Sequence, residues 1–474
     1  MKNGGDWLSV KKGLFMEIEK EIRPFGLRDK IGYMFGDCGN DFSFMLCAMF
    51  LMKFYTDIMG VSAAVVGLMM MVAKFVDAFT DVFMGQVCDR SPVTKKGKFL
   101  PWIRRMMAPV AISCALIFAF WFRNMPMAFK IGWLFFTYLL YGSVCYTAIN
   151  IPYGSMASAI TADPKQRTSL STFRGIGAKI AITGIGSALP LFVFQKDATG
   201  KVVFSGEHMF GAAVVCGIIG ITAYSLCYFL TTERVKMKQV TKKFELGDFF
   251  KTILSSRALL GMIACALVLL VTQNLFQGMN NYIYPNYFKN REAMSLVSLL
   301  GTATMLAIST FASSASGKIG KKEFAIIGSV IGSVAMFVAY FVHTQNVVVW
   351  IGFQIFGEVG LASFNLLCWA MITDVIDDME IKNGERNDGS VYAVYSFARK
   401  LGQAFSAGLT GFMLSLIGYT KESAFDESVT NGIYDAASLA PAIAFGVMAL
   451  ALFFLYPLNK KRVEENSVKL HGGR

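Results

Sequence analysis

The chain has 474 residues, of which 54% are hydrophobic and 14% aromatic, with a mean hydropathy of +0.50 and a formal net charge of +13. This composition excludes an ordinary soluble domain and points to an all-α polytopic membrane protein. The basic residues lie between apolar runs, so the positive charge reads as a membrane-topology signal and not as a nucleic-acid surface.

The first thirty residues are polar and charged, with no signal-peptide apolar core. Twelve apolar spans follow, at about 31–56, 63–88, 101–122, 130–160, 171–194, 208–231, 257–288, 294–316, 323–342, 346–374, 391–418 and 435–457. An even number places both termini on one side. Lys11, Lys12, Lys20, Arg23 and Arg28 precede the first span, and Arg90, Lys95, Lys96 and Lys98 follow the second. Lys165 and Arg167 follow the fourth, Arg234, Lys236, Lys238, Lys242 and Lys243 the sixth, and Lys318, Lys321 and Lys322 the eighth. The opposite loops carry only scattered basic residues. The positive-inside rule therefore predicts a multi-pass protein of the cell membrane with both termini cytoplasmic.

The long polar connection after the sixth span divides the spans six and six. The expected organisation is a cytoplasmic segment 1–30, a six-helix bundle 31–231, a cytoplasmic middle loop 232–256, a second bundle 257–457 and a cytoplasmic tail 458–474. Two bundles with a binding site at mid-depth between them is the logic of a transporter.

The second span holds the densest signal. Lys74, Asp77 and Asp81 fall on one helical face, one turn apart. Each bare carboxylate in hydrocarbon costs about 2.5–3.5 kcal/mol even on the mildest insertion scale, so this face must look into a cavity or a bundle. One Lys against two Asp leaves a deficit of one positive charge, which a bound cation or a proton cancels. Other intramembrane polar residues gather around this theme. They are Asn40 and Asp41 in the first span, Tyr146, Thr147 and Asn150 in the fourth, and Arg174 and Lys179 in the fifth. The seventh span is amide- and tyrosine-rich from Thr272 to Asn286, and the eleventh holds Tyr392, Tyr395, Ser396, Arg399 and Lys400. Such donors and acceptors suit a polyhydroxylated solute, with aromatic faces for the C–H side of a sugar ring. For Asn280, Asn281 and Tyr392, plain helix-to-helix bonding is an equally good reading.

The remaining motifs are weaker. Gly175 with Gly177, and Gly184 with Gly186, sit inside an apolar span without a preceding strand, so close helix packing is expected and not a nucleotide loop. Asp374, Asp377, Asp378 and Glu380 lack calcium-loop spacing and are expected to pair with basic loop residues, Arg386 among them, to close the cytoplasmic side. The nine Cys stand singly without a CxxC, and none of the three His falls mid-span. No nucleophile–base constellation is visible, so no enzyme, no cofactor and no structural metal are expected.

These residues carry a family resemblance. GDCGND at 36–41, KFYTDIMGVSAAVVG at 53–67, VAKFVDAFTDVFMG at 72–85, DRSPVTKKGKFLPW at 89–102, INIPYGSM at 149–156, WAMITDVIDD at 369–378 and SFARKLGQAFS at 396–406 form the set. Together they resemble the glycoside–pentoside–hexuronide:cation symporters, the melibiose-permease group of the major facilitator superfamily, over essentially the whole chain. The resemblance implies two six-helix bundles and alternating-access import of a sugar coupled to Na+ or H+. It implies Asp77 and Asp81 as cation carboxylates, with Thr80 and Thr147 as further oxygens. For the sugar it implies Asp41, Asn150, Arg174 and Lys400, with Lys400 between the two sites and Asn40 in place of a family Lys; Tyr146, Tyr395 and Arg399 join them as polar residues expected to line the site. For the cytoplasmic gate, Asp89, Arg90, Asp374, Asp378 and Arg386 are expected from their charges at the inner ends of the spans.

Departures from the melibiose pattern bear on the substrate. Asn150 stands for an Asp, Gly154 and Asn365 stand for Trp, and Asn40 stands for a Lys, which argues against an α-galactoside. The Arg399–Lys400 pair leaves room for an anionic sugar such as a hexuronide, since Arg matches carboxylate geometry. Thr80 replaces an Asn of the cation motif, and both ions stay open. The expected partners are a sugar, a monovalent cation and the lipid bilayer, with the monomer as the working unit. A lipid or lysolipid carrier of the same superfamily and a non-transporting sugar sensor are the alternatives.

Overall fold

The computed structural model describes residues 23–198, 200–235, 256–384 and 388–471. In hydrocarbon a backbone amide finds no water, so each apolar run satisfies its own hydrogen bonds as helix. The first six spans are α1 (Leu27–Asp57), α2 (Ala63–Arg90), α3 (Leu100–Ile117), a composite span, α6 (Pro164–Val193) and α7 (Gly206–Leu230). The composite joins α4 (Met127–Leu139) to α5 (Thr147–Ile160) through a π-helical turn at Leu140–Tyr146. The second six are α8 (Arg257–Tyr282), continued by a π turn at Ile283–Tyr287, then α9 (Arg291–Ile319), α10 (Lys321–Val342), a broken span, α13 (Asp388–Leu416) and α14 (Glu427–Phe454). The broken span is α11 (Val347–Asn365) followed by α12 (Cys368–Asn383). A final helix, α15 (Lys460–His471), lies against α12.

Among the described residues ten spans are long and apolar enough to cross a membrane by composition alone. The other two, α1 and α13, fall short because they carry the intramembrane charges Asp37, Asp41 and Lys53, and Arg399 and Lys400. The tenth span runs on to Asn383, past its expected end, and the twelfth begins earlier than expected, at Glu427. The connection between α6 and α7 is not a plain loop. Strands β1 (Phe194–Lys196) and β2 (Val202–Phe204) pair antiparallel there, with Phe194 opposite Phe204.

In the first half α1 packs on α6 and α7, and α3 packs on α7. In the second, α10 lies between α11 and α14, and α8 touches α13 and α14. The halves meet where α2 runs along α13, α6 along α9 and α1 against α8. Small residues set these approaches. A Cβ on Gly177 would come within 2.3 Å of the Met34 carbonyl oxygen in α1, and one on Gly186 within 2.1 Å of Ser298 Oγ in α9. Around Gly175 and Gly184 the space is open, so only one glycine of each predicted pair packs closely.

The chain enters α1 and leaves α14 at one end of the bundle, the terminus end; the other is the far end. At the terminus end Asp29 is fully buried and accepts hydrogen bonds from Arg23 (2.7 Å) and Arg234 (2.9 Å), tying the start of α1 to the segment after α7. Glu233 accepts the backbone N–H groups of Lys98, Phe99 and Leu100 at 2.7–2.9 Å, satisfying donors that the start of α3 leaves open. The basic residues at 11–20 and 236–243 lie outside the described residues, as do Arg386 and the side chains of Asp89 and Tyr392.

Candidate functional site

A two-lobed cavity lies between the halves. One lobe, about 260 Å³, is lined by Asp77, Asp81, Asn150, Trp369, Arg399 and Lys400. The other, about 220 Å³, extends toward the far end past Met49, Tyr141, Gln273, Asn274 and Gln277. Phe44, Lys74, Tyr146, Arg399 and Gln403 line both.

The carboxylates of α2 are held by the composite fourth span. The π turn widens that helix where it faces α2 and brings three oxygens forward, a use of π geometry that recurs at functional sites. Ser143 Oγ donates to Asp77 Oδ1 at 2.5 Å. Thr147 Oγ1 lies 2.8 Å from Asp81 Oδ1 and 3.1 Å from the Gly142 carbonyl oxygen. Gly142 leaves room for this: a Cβ there would come within 3.2 Å of Asp77 Oδ1. Lys74 reaches Asp77 Oδ2 at 3.3 Å, with the ring of Phe44 4.9 Å from its Nζ. From the other half, Lys400 forms an ion pair with Asp81 Oδ2.

The deficit of one positive charge inferred from α2 alone is therefore filled, here, by Lys400. With Lys74, Arg399 and Lys400 facing Asp77 and Asp81, the cavity wall carries one excess positive charge. Arg399 supplies it. Its Cζ stands 5.7 Å from the centroid of the Trp369 ring, and its Nη1 is buried with no hydrogen-bond partner among the described residues. A desolvated guanidinium nitrogen without an acceptor is costly, and an anionic ligand removes that cost.

The structure draws together Asp77, Asp81, Thr147, Tyr146, Asn150, Arg399 and Lys400 and places other expected residues elsewhere. Thr80 donates to the carbonyl oxygen of Asp77 in its own helix at 3.1 Å, a back-bond typical of a helical threonine. The hydroxyl that reaches the Asp77 carboxylate is that of Ser143. Tyr395 is fully buried, edge-on to Trp369 at 5.1 Å, so it braces the wall from behind. Asn40 is buried and accepts from Tyr224 at 2.8 Å, with its Nδ2 3.5 Å from Asn150 Oδ1. Arg174 pairs with Asp37 at 2.9 Å, a residue the sequence reading passed over in favour of Asp41, one turn on. Asp41 sits within the electrostatic reach of both Asp37 and Arg174.

The acidic residues of α12 have local partners. Asp374 takes Lys321 at 2.7 Å; Asp378 takes Lys382 at 2.5 Å and Asn466 at 3.2 Å, with Arg462 at 3.6 Å. These partners all belong to the second half. Lys321 is one of the basic loop residues expected to pair with this cluster, while Arg386 lies outside the described residues; in this conformation the halves are bonded at the far end. Arg90 is exposed.

Sequence reasoning missed Ser143, Trp369, Gln403 and Asp37. Gln403 had a signal, since it stands one turn beyond Arg399. Gln273, Asn274 and Gln277 fall inside the amide-rich stretch already noted.

The family described as "MFS/sugar transport protein" matches residues 32–460. Among curated proteins, the chain is 30% identical to the "Glucuronide carrier protein homolog" of Escherichia coli (strain K12), covering 94% of this chain and 95% of that one. It is 31% identical to the "Putative sulfoquinovose importer" of the same organism, covering 92% of each. Among solved structures it resembles a bacterial homologue of the human lysosomal transporter Spinster, with a TM-score of 0.67 at 12% identity over 92% of this chain and 97% of that one.

Proposed function

The chain belongs to the MFS/sugar transport protein family, and from that premise we propose that it is a symporter importing an anionic sugar, of the hexuronide-glycoside class, together with Na+ or H+. The observation that carries this reading is a single cavity that holds both the carboxylate pair Asp77/Asp81 and the guanidinium of Arg399, whose Nη1 makes no hydrogen bond among the described residues. The relatives named above support the anionic class: a glucuronide carries a carboxylate and sulfoquinovose a sulfonate.

The geometry suggests how the two cargoes depend on each other. Without a ligand, Lys400 occupies Asp81. A sugar that takes Arg399 by its anionic group and draws Lys400 to its hydroxyls leaves Asp81 uncompensated. A monovalent cation or a proton then restores neutrality, with Thr147, Ser143 and the Gly142 carbonyl oxygen as neighbouring oxygens. Each cargo thereby raises the affinity for the other, which is the reciprocity a symporter needs, typically about 1–3 kcal/mol. By the excess of basic residues, the terminus end faces the cytoplasm.

Counterflow in proteoliposomes tests this. A phenyl β-glucuronide should exchange while the matching neutral glucoside exchanges poorly. Comparing sodium-free buffer at two pH values with added sodium assigns the ion. Preference for the neutral sugar would remove the anionic assignment, and no exchange of any glycoside would remove the sugar.

A further inference from the structure

The far end of the molecule carries a charge cluster that the transport cavity does not use. Lys53, near the end of α1, is 2% exposed. Its ammonium has three donors, and the structure supplies three acceptors: Asp57 Oδ2 at 2.9 Å, Asn286 Oδ1 at 2.8 Å and the Tyr419 hydroxyl at 2.5 Å. The rings of Tyr282 and Tyr419 lie 4.5 and 4.9 Å from the same nitrogen, close enough for cation–π attraction. The partners are themselves fixed. Tyr419 donates its hydroxyl proton to Asp57 Oδ1 at 2.9 Å, and Asn286 donates to the Ala424 carbonyl oxygen at 3.1 Å.

The partners divide by half. Lys53 and Asp57 stand four residues apart on α1. Asn286 comes from the π turn after α8, and Tyr419 from the connection between α13 and α14. The cluster is therefore a joint between the two bundles. It continues a wider seal at this end, where Asn281 donates to the Met49 carbonyl oxygen at 2.6 Å and Thr183 meets Thr302 at 2.9 Å. Ser295 donates to the Ser187 carbonyl oxygen at 2.5 Å in the same seal.

We propose that Lys53 is the far-end latch of the transport cycle, closing on Asn286 and Tyr419 when the halves meet there and releasing into water when they part. The inference rests on the transporter reading above. When the halves separate, Lys53 keeps Asp57, its partner on the same helix, but loses two of three acceptors and both aromatic faces. An apolar plug would seal as well but would resist wetting. The Lys53–Asp57 pair is soluble when open and fully satisfied when closed. That makes the joint two-state, as a rocking interface requires.

The test uses the full chain in lipid nanodiscs without any sugar. Nitroxides are attached at Met125→Cys and Gln345→Cys, exposed positions in far-end connections of the first and second halves; all nine native cysteines are buried. A second pair, Met125→Cys with Glu207→Cys, reports on the first half alone. Lys53→Met and Tyr419→Phe should each shift the inter-half distances toward longer, open values. The expected change in the open-to-closed ratio is about tenfold, the scale of one hydrogen bond to a charge. The pair within the first half should not move. Tyr419→Phe leaves the Lys53–Asp57 pair in place, so its effect separates unlatching from misfolding. Unchanged inter-half distances in both variants overturn the proposal, as does a change confined to the pair within the first half. The readout needs no substrate, so failure of the sugar assignment leaves it standing.

Discussion

Two Lys–Asp clusters bridge the halves of this molecule, and they differ in how completely their charges are answered. At the far end Lys53 is 2% exposed and each of its donors has an acceptor. In the cavity the Lys400 side chain is 39% exposed while paired with Asp81, Lys74 reaches Asp77 only at 3.3 Å, and Arg399 Nη1 makes no hydrogen bond among the described residues. Burial of a charge in the membrane is expensive in both places. The complete set leaves nothing for a ligand to add and holds two bodies together. The incomplete set faces open volume and gains by binding. An intramembrane charge alone marks importance; the state of its partners tells a joint from a site.

The comparison can be broken most decisively at Asp81. Asp81→Asn removes the charge that Lys400 answers and the proposed cation requires. Uphill accumulation of sugar should fall to the equilibrium level, a loss on the scale of the whole coupling, about 5–150-fold. Exchange of sugar down its own gradient should survive. Concentrative uptake at the wild-type level in both Asp81→Asn and Asp77→Asn would show that the coupling carboxylates lie elsewhere.

Arg399 comes next. Arg399→Ala deletes the guanidinium proposed to meet the substrate anion, and a hydrogen bond to a charged group is worth about 1.5–3 kcal/mol. Binding of a glucuronide, measured by calorimetry, should weaken roughly tenfold to a hundredfold. A neutral glycoside should lose far less. Equal losses for both would mean that Arg399 supports the wall through Trp369 and does not read charge.

Much of this was legible in the sequence because membranes tolerate few exceptions. Helices are obligatory there, so apolar runs marked all twelve spans, α1 and α13 included, although charges make those two less apolar than the other ten. Asp77, Asp81, Arg399 and Lys400 stood out because ionised side chains in apolar context need a reason. Uncharged groups gave no such alarm. Ser143 looks like any helical serine until a π turn aims it at Asp77, and that turn leaves no mark in the pattern of apolar residues. Lys53 was visible only as the first letter of a motif. Its partners Asn286 and Tyr419 lie 233 and 366 positions away, and only docking of the halves brings them to it. The pairing of Arg174 with Asp37 and not Asp41 is a matter of one helical turn, finer than spacing can decide.

The smallest expected effect is the sharpest test of geometry over sequence. Thr80 and Thr147 both belong to the set that resemblance assigns to the cation. The Thr147 hydroxyl lies 2.8 Å from Asp81 Oδ1 and faces the cavity, whereas the Thr80 hydroxyl is spent on the carbonyl oxygen of Asp77 in its own helix. Thr147→Val leaves a half-buried carboxylate oxygen without its donor, a cost of about 1–3 kcal/mol, so the ion concentration at half-maximal uptake should shift about tenfold or more. Thr80→Val removes only a back-bond that contributes little to a helix, and the same midpoint should move less than about twofold. The variable in which the Thr147→Val shift appears also carries information. A proton-coupled carrier should show the shift in its pH profile, with no response to sodium. A sodium-coupled carrier loses an oxygen ligand and should need more sodium. If the two threonines proved interchangeable in this assay, the α2 face would have to turn toward the cavity during transport, bringing Thr80 into the site that this conformation denies it.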